Sequence, residues 1–248
     1  METQAGSPTT LREKRIVVLG GTSGIGFVTA EMAAKEGAAI VVASSRRENV
    51  HHAVARLPKG TEGHVLDLSN EEQVQDFFNR VDTFDHLVFT AGEVLQLGEL
   101  NKTSMEQARR FFDLRFWGAF MAAKYGSSHI RPGGSIVLSS GMAGRRPPDK
   151  GWTVVASVLG AAEALTRALA VELAPIRVNA VCPGLVRTEL WRSMSEADRE
   201  AMYRESRQAL LVGRVGEAQD VAQAYLYLMR EGYSTGQVIV VDGGSALV

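Results

Sequence analysis

Short apolar runs alternate with stretches of helical patterning along almost the whole chain. The apolar runs cover residues 16–19, 39–43, 64–68, 86–90, 135–139, 177–181 and 237–241. Alternating strands and helices form βαβ units around a parallel sheet, and continuous apolar strands indicate a sheet that is covered on both faces. The pattern predicts the α/β class: a single doubly wound domain over residues 13–248, with about seven parallel strands and helices on both faces. The polar residues 1–12 are interpreted as a short disordered lead-in.

The charge and composition narrow the possible partners. The 248 residues carry a formal net charge of −1, which predicts neither nucleic acid nor a membrane surface as a partner. No apolar run approaches the roughly 20 residues of a membrane span, and the first residues lack the apolar centre of a signal peptide. The single cysteine, Cys182, excludes an internal disulfide and fits a cytoplasmic protein. The five histidines lack the spacing of metal ligands, so no metal site is predicted.

A glycine-rich turn follows the first apolar run. It reads Gly20-Gly21-Thr22-Ser23-Gly24-Ile25-Gly26, and a helical pattern begins near Ile25. Glycines between a strand and a helix allow the backbone to approach a pyrophosphate, and the free N–H groups of the helix start favour an anion. The turn therefore predicts a dinucleotide site.

The spacing of this turn resembles that of the short-chain dehydrogenase/reductase family, whose fold is of the Rossmann type. Further segments resemble the family in the same order along the chain. They are residues 67–69, Ala91-Gly92, 134–140, 177–184 with Thr188, and 236–244. The resemblance covers nearly the whole chain and implies an NAD(P)-dependent oxidoreductase acting on a carbonyl, an alcohol or a similar group.

The end of the second apolar run bears on the choice of coenzyme. An acidic residue at this position binds a ribose 2′-hydroxyl, whereas an arginine accommodates a 2′-phosphate. Here the run ends in Ser44-Ser45-Arg46-Arg47, which favours NADP(H), with NAD(H) as the alternative. The motifs and the resemblance together predict one set of coenzyme-binding residues. They are Gly20, Thr22, Ser23, Gly24, Ile25, Gly26, Ser44, Ser45, Arg46, Asp67, Leu68, Ala91, Gly92, Pro183, Gly184, Val186 and Thr188.

The chain departs from the family at the residues that carry its proton chemistry. The family uses a tyrosine as general acid and a lysine four residues later, which a helix places on one face. Counting back from residues 170–173 puts these positions at Val155 and Leu159, whereas counting forward from Ser140 puts them at Thr153 and Ser157. Neither alternative contains a Tyr-x-x-x-Lys motif. Of the family's catalytic set, only Ser140 is retained.

Replacement catalytic groups are few. Arg115 stands where the family usually has an asparagine, and it could polarise a carbonyl oxygen. We therefore predict Ser140 and Arg115 as catalytic residues, while Ser140 could equally well cap the end of its strand. Weaker candidates occupy the loop before the helix, namely Arg145, Arg146, Asp149 and Lys150, and Trp152 either walls the pocket or packs in the core.

Two functions remain open at this point. The first is an NADP(H)-dependent oxidoreductase with a non-standard proton path and a small-molecule substrate. The second is a catalytically degenerate NADP(H)-binding protein that acts as a sensor or an assembly partner. Residues 188–211 resemble the family's substrate lid, and the resemblance implies a homodimer or homotetramer. The apolar face formed by Val158, Ala161, Ala162, Leu165 and Leu169 fits a core and an interface equally well.

Overall fold

The computed structural model describes residues 10–95 and 97–248. The strands are β1 Arg15–Leu19, β2 Ala39–Ser44, β3 Glu62–Val65, β4 Phe84–Phe89, β5 Ile130–Ser139, β6 Arg177–Pro183, β7 Val186–Arg187, β8 Gly216–Glu217 and β9 Val238–Val241. The α-helices are α1 Gly24–Lys35, α2 Arg47–Arg56, α3 Glu71–Arg80, α4 Met105–Phe112, α5 Gly118–Gly126, α6 Thr153–Glu172, α7 Glu196–Ala209 and α8 Ala218–Arg230. A π-helical turn, Asp113–Trp117, joins α4 to α5.

Seven of the strands form one parallel sheet, in the order β3-β2-β1-β4-β5-β6-β9. The chain winds outward from β1 to β3 and then returns to pair β4 with the other side of β1. In such a sheet the strand order reverses between β1 and β4, and ligands bind beyond the carboxyl ends of the strands at this point. The predicted α/β fold is confirmed.

Alternate residues of the central strands enter two separate hydrophobic cores. Val17 and Leu19 of β1 face a core on one side of the sheet. Ile16 and Val18 face a second core on the other side, which includes residues of α1 and α8. Because both faces of β1 are buried, its sequence is apolar without interruption, and this explains why the strands could be recognised.

Several predicted boundaries were wrong. The fourth strand begins at Phe84 and the fifth at Ile130, instead of at residues 86 and 135. The third strand spans residues 62–65 instead of 64–68. Leu66 still donates its backbone N–H to Ser44, but the chain then turns away, and the side chains of Leu66 and Leu68 pack in the first core.

The folded domain also begins earlier than residue 13. The side chain of Leu11 is fully buried in the second core, and its backbone N–H donates to Glu36 at 3.3 Å. Residues 1–9 of the predicted lead-in lie outside the described residues.

Helix α6 is the one described helix with the length and apolar composition of a membrane span. Its inward side is buried, however: Val158, Ala162, Leu165 and Leu169 are each at most 9% exposed. Leu165 and Leu169 belong to the first core, and Val158 packs against Val155 and Phe111. This face of α6, whose role the sequence left open, is therefore mainly core.

Candidate active site

The glycine-rich turn is shaped by close backbone contacts at the carboxyl end of β1. Gly20 has a φ of +87°, and a Cβ atom there would lie 2.5 Å from the backbone nitrogen of Ala91. A Cβ atom at Gly26 would overlap the Thr90 hydroxyl and lie 2.5 Å from the carbonyl oxygen of Gly20. Glycine is therefore required at both positions, and the turn brings the first amides of α1 to the edge of the sheet. This is the geometry that accommodates a diphosphate.

A cavity of about 990 Å³ opens along this edge of the sheet. All seventeen predicted coenzyme-binding residues line it, as do both predicted catalytic residues, Ser140 and Arg115. The volume is at the upper end of the range of small-molecule sites. The structure thus brings the predicted residues together, whereas the role of each in binding stays a prediction.

One end of the cavity is formed by the residues that follow β2. Ser44, Ser45, Arg46 and Asn49 line it, and Arg46 is exposed at the start of α2. The carboxylate nearest in sequence, Glu48, does not line the cavity. This end therefore offers hydroxyl, amide and guanidinium groups, which suit a phosphate better than an acidic residue would.

Helix α6 agrees with the alignment that counts back from residues 170–173. Val155 and Leu159 line the cavity one helical turn apart, whereas Thr153 and Ser157 are exposed and do not line it. The family's tyrosine and lysine positions are therefore Val155 and Leu159, neither of which can transfer a proton. Trp152 lines the cavity and also packs on the cluster containing Val155, so both proposed roles apply to it.

Ser140 lines the cavity, but its hydroxyl is already bonded to α6. The Oγ atom lies 3.2 Å from the carbonyl oxygen of Leu159 and 3.2 Å from Oε1 of Glu163. The buried carboxylate of Glu163 also accepts two hydrogen bonds from the Arg145 guanidinium, at 2.8 and 3.1 Å. The single hydroxyl proton of Ser140 is thus shared between acceptors on α6.

Arg115 lies in the π-helical turn, and its guanidinium is directed toward the segment after β4. Nη2 donates to the backbone carbonyl oxygen of Glu93 at 2.7 Å, and Nε is 3.7 Å from the Glu93 carboxylate. The guanidinium also lies over the Phe111 ring, 4.8 Å from its centroid. A Cβ atom at Gly92 would be 2.7 Å from this group, so the arginine packs directly against the predicted coenzyme segment.

The sequence did not single out Glu93, although it lines the cavity directly after Gly92. Its two carboxylate oxygens and the Arg115 Nε atom are buried without a hydrogen-bond partner among the described residues. Burial raises the pKa of the Glu93 carboxyl, and the nearby Arg115 charge opposes that shift. Burial also lowers the pKa of Arg115. The Glu93 oxygens and the Arg115 Nε atom thus face each other away from water.

The remaining sequence candidates fall into two groups. Arg146 lines the cavity and donates to the backbone of Ser245 at 2.8 Å, whereas Arg145 is bonded to Glu163. Asp149 and Lys150 are exposed and do not line the cavity. Leu190, Trp191 and Met202 of the predicted lid do line it. Within residues 10–95 and 97–248, no cluster of side chains could hold a metal ion.

Comparison with known proteins identifies the family. Residues 20–246 match the adh_short_C2 family model, which is described as enoyl-(acyl carrier protein) reductase. The short-chain dehydrogenase/reductase ATR9 of Stachybotrys chlorohalonatus is 38% identical, over 96% of this chain and 99% of its own length. The chain belongs to the short-chain dehydrogenase/reductase family. The family prediction is thereby confirmed, and with it the prediction of an oxidoreductase of this type.

Solved structures of short-chain dehydrogenases match this chain over nearly their full lengths. A small-chain dehydrogenase in complex with NADPH is 40% identical, with a TM-score of 0.81 over 95% of this chain and 100% of that one. The MalC reductase/Diels-Alderase of Malbranchea aurantiaca is 31% identical, with a TM-score of 0.89 over 96% of this chain and 98% of that one.

Proposed function

We propose that this protein is an NADP(H)-dependent reductase of a small-molecule carbonyl or related group, with a proton path that does not use the family's tyrosine and lysine. The observation that supports the proposal most strongly is the single cavity that brings the glycine-rich turn, Arg46 and Thr188 together. A structural relative at 40% identity was solved in complex with NADPH. The same arrangement supports NADP(H) over NAD(H), because Arg46 lines the cavity where the family binds the ribose.

The residues around the glycine-rich turn fit the coenzyme well. The turn between Gly20 and Gly26 would hold the diphosphate through the first amides of α1, and Ser44, Ser45 and Arg46 would bind the 2′-phosphate. Thr188 would hold the carboxamide side. When bound, a reduced nicotinamide coenzyme supplies a hydride.

The protein's own contribution is to orient the substrate and to stabilise charge on its oxygen. Arg115 places a buried guanidinium beside the cavity. Away from water, its positive charge attracts a developing negative charge more strongly than it would in water. Trp152 and Trp191 line the cavity and would exclude water from the substrate. Family members with the usual proton path have a tyrosine and a lysine at the positions of Val155 and Leu159.

 

A second candidate function is kept because of the same two residues. With Val155 and Leu159 lining the cavity, the family's proton donor and its lysine partner are absent at these positions. The same absence is expected of a sensor that binds the coenzyme without turnover. Both functions require NADP(H) binding, and they differ only in whether the bound coenzyme reacts.

The test combines binding with turnover. NADPH binding is measured by calorimetry, and the oxidation of NADPH is then followed with a panel of quinones, 1,2-diketones, simple ketones and cyclic imines. Binding with turnover of at least one acceptor supports the reductase. Tight binding without turnover of any acceptor at high enzyme concentration supports the sensor, and failure to bind either pyridine nucleotide overturns both. Gly26→Ala, which blocks the predicted diphosphate site, is the control for non-enzymatic oxidation.

A further inference from the structure

Glu93 is distinguished from the other acidic residues of the cavity by its burial. The acidic side chains that line the cavity within the described residues are those of Asp67, Glu93, Asp113 and Glu189. Asp67, Asp113 and Glu189 belong to exposed residues, whereas the two carboxylate oxygens of Glu93 are buried. The Glu93 side chain as a whole is 31% exposed, so its stem is open while its oxygens are covered.

The position of Glu93 in the fold places it near the expected reaction. It follows Ala91-Gly92, the segment that packs on Gly20 of the glycine-rich turn. Two residues later, Leu95 packs on the cluster of Phe111, Val155 and Val158, which includes the family's tyrosine position. Glu93 thus lies on the segment that runs from the predicted diphosphate site to the wall where the family has its general acid.

The hydrogen-bonding state of the carboxyl is unusual for a structural residue. Neither oxygen has a hydrogen-bond partner among the described residues, and the Arg115 Nε atom at 3.7 Å from Oε2 also lacks one. A buried polar group without a partner costs on the order of 1–3 kcal/mol, and more when it is charged. Such groups concentrate at sites where a ligand or a reaction uses them.

Burial and the neighbouring positive charges act on the pKa of Glu93 in opposite directions. Burial is the largest effect and raises its pKa, Arg115, the backbone N–H of Glu93 itself and Arg110 lower it, and Asp113 raises it. A general acid works best when its pKa is near the working pH, and burial is the usual way in which a glutamate reaches that range. Once the proton has left, the carboxylate remains beside Arg115, which stabilises it.

We infer that Glu93 is the proton donor that replaces the family's tyrosine in this protein. The inference rests on the proposed reductase function. As the carbonyl carbon receives the hydride, the π electrons of the C=O bond move to its oxygen. The O–H bond of Glu93 breaks, and a new O–H bond forms on the product alcohol. After the product leaves, rotation about the side-chain bonds of Glu93, whose stem is open to the cavity, exposes the carboxylate to water, from which it takes a proton before the next turnover, so that atoms and charge balance.

The first experiment needs no substrate. NADP⁺ is titrated into the wild-type protein and into Glu93→Gln by calorimetry, in buffers of different ionisation heats, between about pH 5 and pH 8. A positively charged nicotinamide near Glu93 favours the carboxylate, so wild-type binding should release up to about one proton. Glu93→Gln should bind NADP⁺ with a similar affinity and release fewer protons, because only the 2′-phosphate of NADP⁺ still changes its protonation on binding. Equal proton release by both proteins would overturn the inference, whereas absence of binding would overturn the proposed function instead.

The second experiment measures turnover with any acceptor that the panel identifies. We expect Glu93→Gln to lower kcat by about 10²–10⁴-fold while KM and the NADPH affinity change little. In the wild type, kcat for reduction should fall as the pH rises through the pKa of Glu93, and the variant should lose this dependence. Glu93→Asp, which keeps the carboxyl, should recover part of the rate.

The matched control is Glu189→Gln, which removes an exposed carboxylate from the same cavity. This variant should keep the wild-type pH profile. If Glu189→Gln and Glu93→Gln lost the same part of the profile, or if Glu93→Gln retained the wild-type kcat, Glu93 would not be the proton donor. Thermal unfolding of each variant separates a loss of chemistry from a loss of fold.

Discussion

The hydroxyl of Ser140 lies 3.2 Å from the carbonyl oxygen of Leu159, the residue that occupies the family's lysine position. The serine is thus bonded to the backbone of α6, at a helix position where the lysine side chain is missing. Glu163 and Arg145 complete the connection between the end of β5 and α6. This arrangement gives Ser140 a structural role that does not require the family's proton chemistry, and its predicted catalytic role remains to be tested.

Removing the carboxylate at the centre of this connection should destabilise the protein. Glu163→Ala leaves Arg145 and Ser140 without their shared acceptor, so the free energy of unfolding should fall by about 2 kcal/mol. The loss is smaller than for a fully buried pair, because the Arg145 side chain is 39% exposed. Urea denaturation measures it. The control Glu99→Ala breaks an exposed pair with Lys102 and should change stability by less than about 1 kcal/mol. Equal losses in both variants would contradict the structural role.

Ser140→Ala tests the two predicted roles of the serine directly. If the hydroxyl serves mainly to join β5 to α6, the variant should lose about 1 kcal/mol of stability and keep most of its turnover. The measurements are urea denaturation and kcat with an acceptor from the panel. A loss of turnover beyond about 100-fold, with stability unchanged, would instead establish Ser140 as a catalytic residue.

The glycine-rich turn makes a steric prediction. In Gly26→Ala the new methyl group would overlap Thr90 and the Gly20 carbonyl, so the turn must shift away from the diphosphate. We expect a loss of about 1–3 kcal/mol in stability and a loss of NADPH binding. Gly160→Ala is the matched control, because no atom outside its own helix lies within 4 Å of the added methyl group. It should stabilise α6 by about 0.5–1 kcal/mol. Wild-type NADPH affinity in Gly26→Ala would contradict the predicted site.

The elements that could be predicted from the sequence are those determined by residues close together in the chain. The runs around Val17 and Val88 are apolar because both faces of their strands are buried, and the glycine-rich turn is specified by backbone contact. The register of α6 could be predicted from the resemblance of its second half to the family, whereas the count forward from Ser140 depends on the length of a loop and gave positions two residues away. Glu93, in contrast, was missed. Its burial depends on Arg115, 22 residues later in the chain, and a single glutamate after a glycine gives no signal of that contact.

Histidine 86 should make the stability of the protein depend on pH. His86 is buried beside Ser135, and burial lowers its pKa to about 4 from an ordinary value of 6.5. As the pH falls below about 6.5, the unfolded chain takes up the proton first, so stability decreases until about pH 4. The free energy of unfolding has its full value above pH 6.5, and it should fall by about 2 kcal/mol by pH 5 because of His86.

Urea denaturation at pH 7.5 and pH 5 tests this dependence. His86→Phe removes the ionisable ring, so its loss of stability between the two pH values should be about 2 kcal/mol smaller than that of the wild type. His52→Gln removes an exposed imidazole and serves as the control. An identical loss in the wild type and in His86→Phe would show that another group causes the acid sensitivity.

Arg46 should determine the preference for the phosphorylated coenzyme. It lines the cavity after β2, whereas the adjacent Arg47 does not, so the two arginines form a matched pair for mutation. A charged hydrogen bond to the 2′-phosphate contributes about 1.5–3 kcal/mol, so Arg46→Ala should weaken NADPH binding by about 10–100-fold. NADH lacks that phosphate, and its affinity should change little. Arg47→Ala removes the same charge outside the cavity and should weaken NADPH binding less than threefold or so, through the loss of general electrostatic attraction. Calorimetric titration of both coenzymes into the two variants tests this role of Arg46. If Arg46→Ala weakened the binding of NADPH and NADH equally, the arginine would support the fold of the site and would not recognise the phosphate.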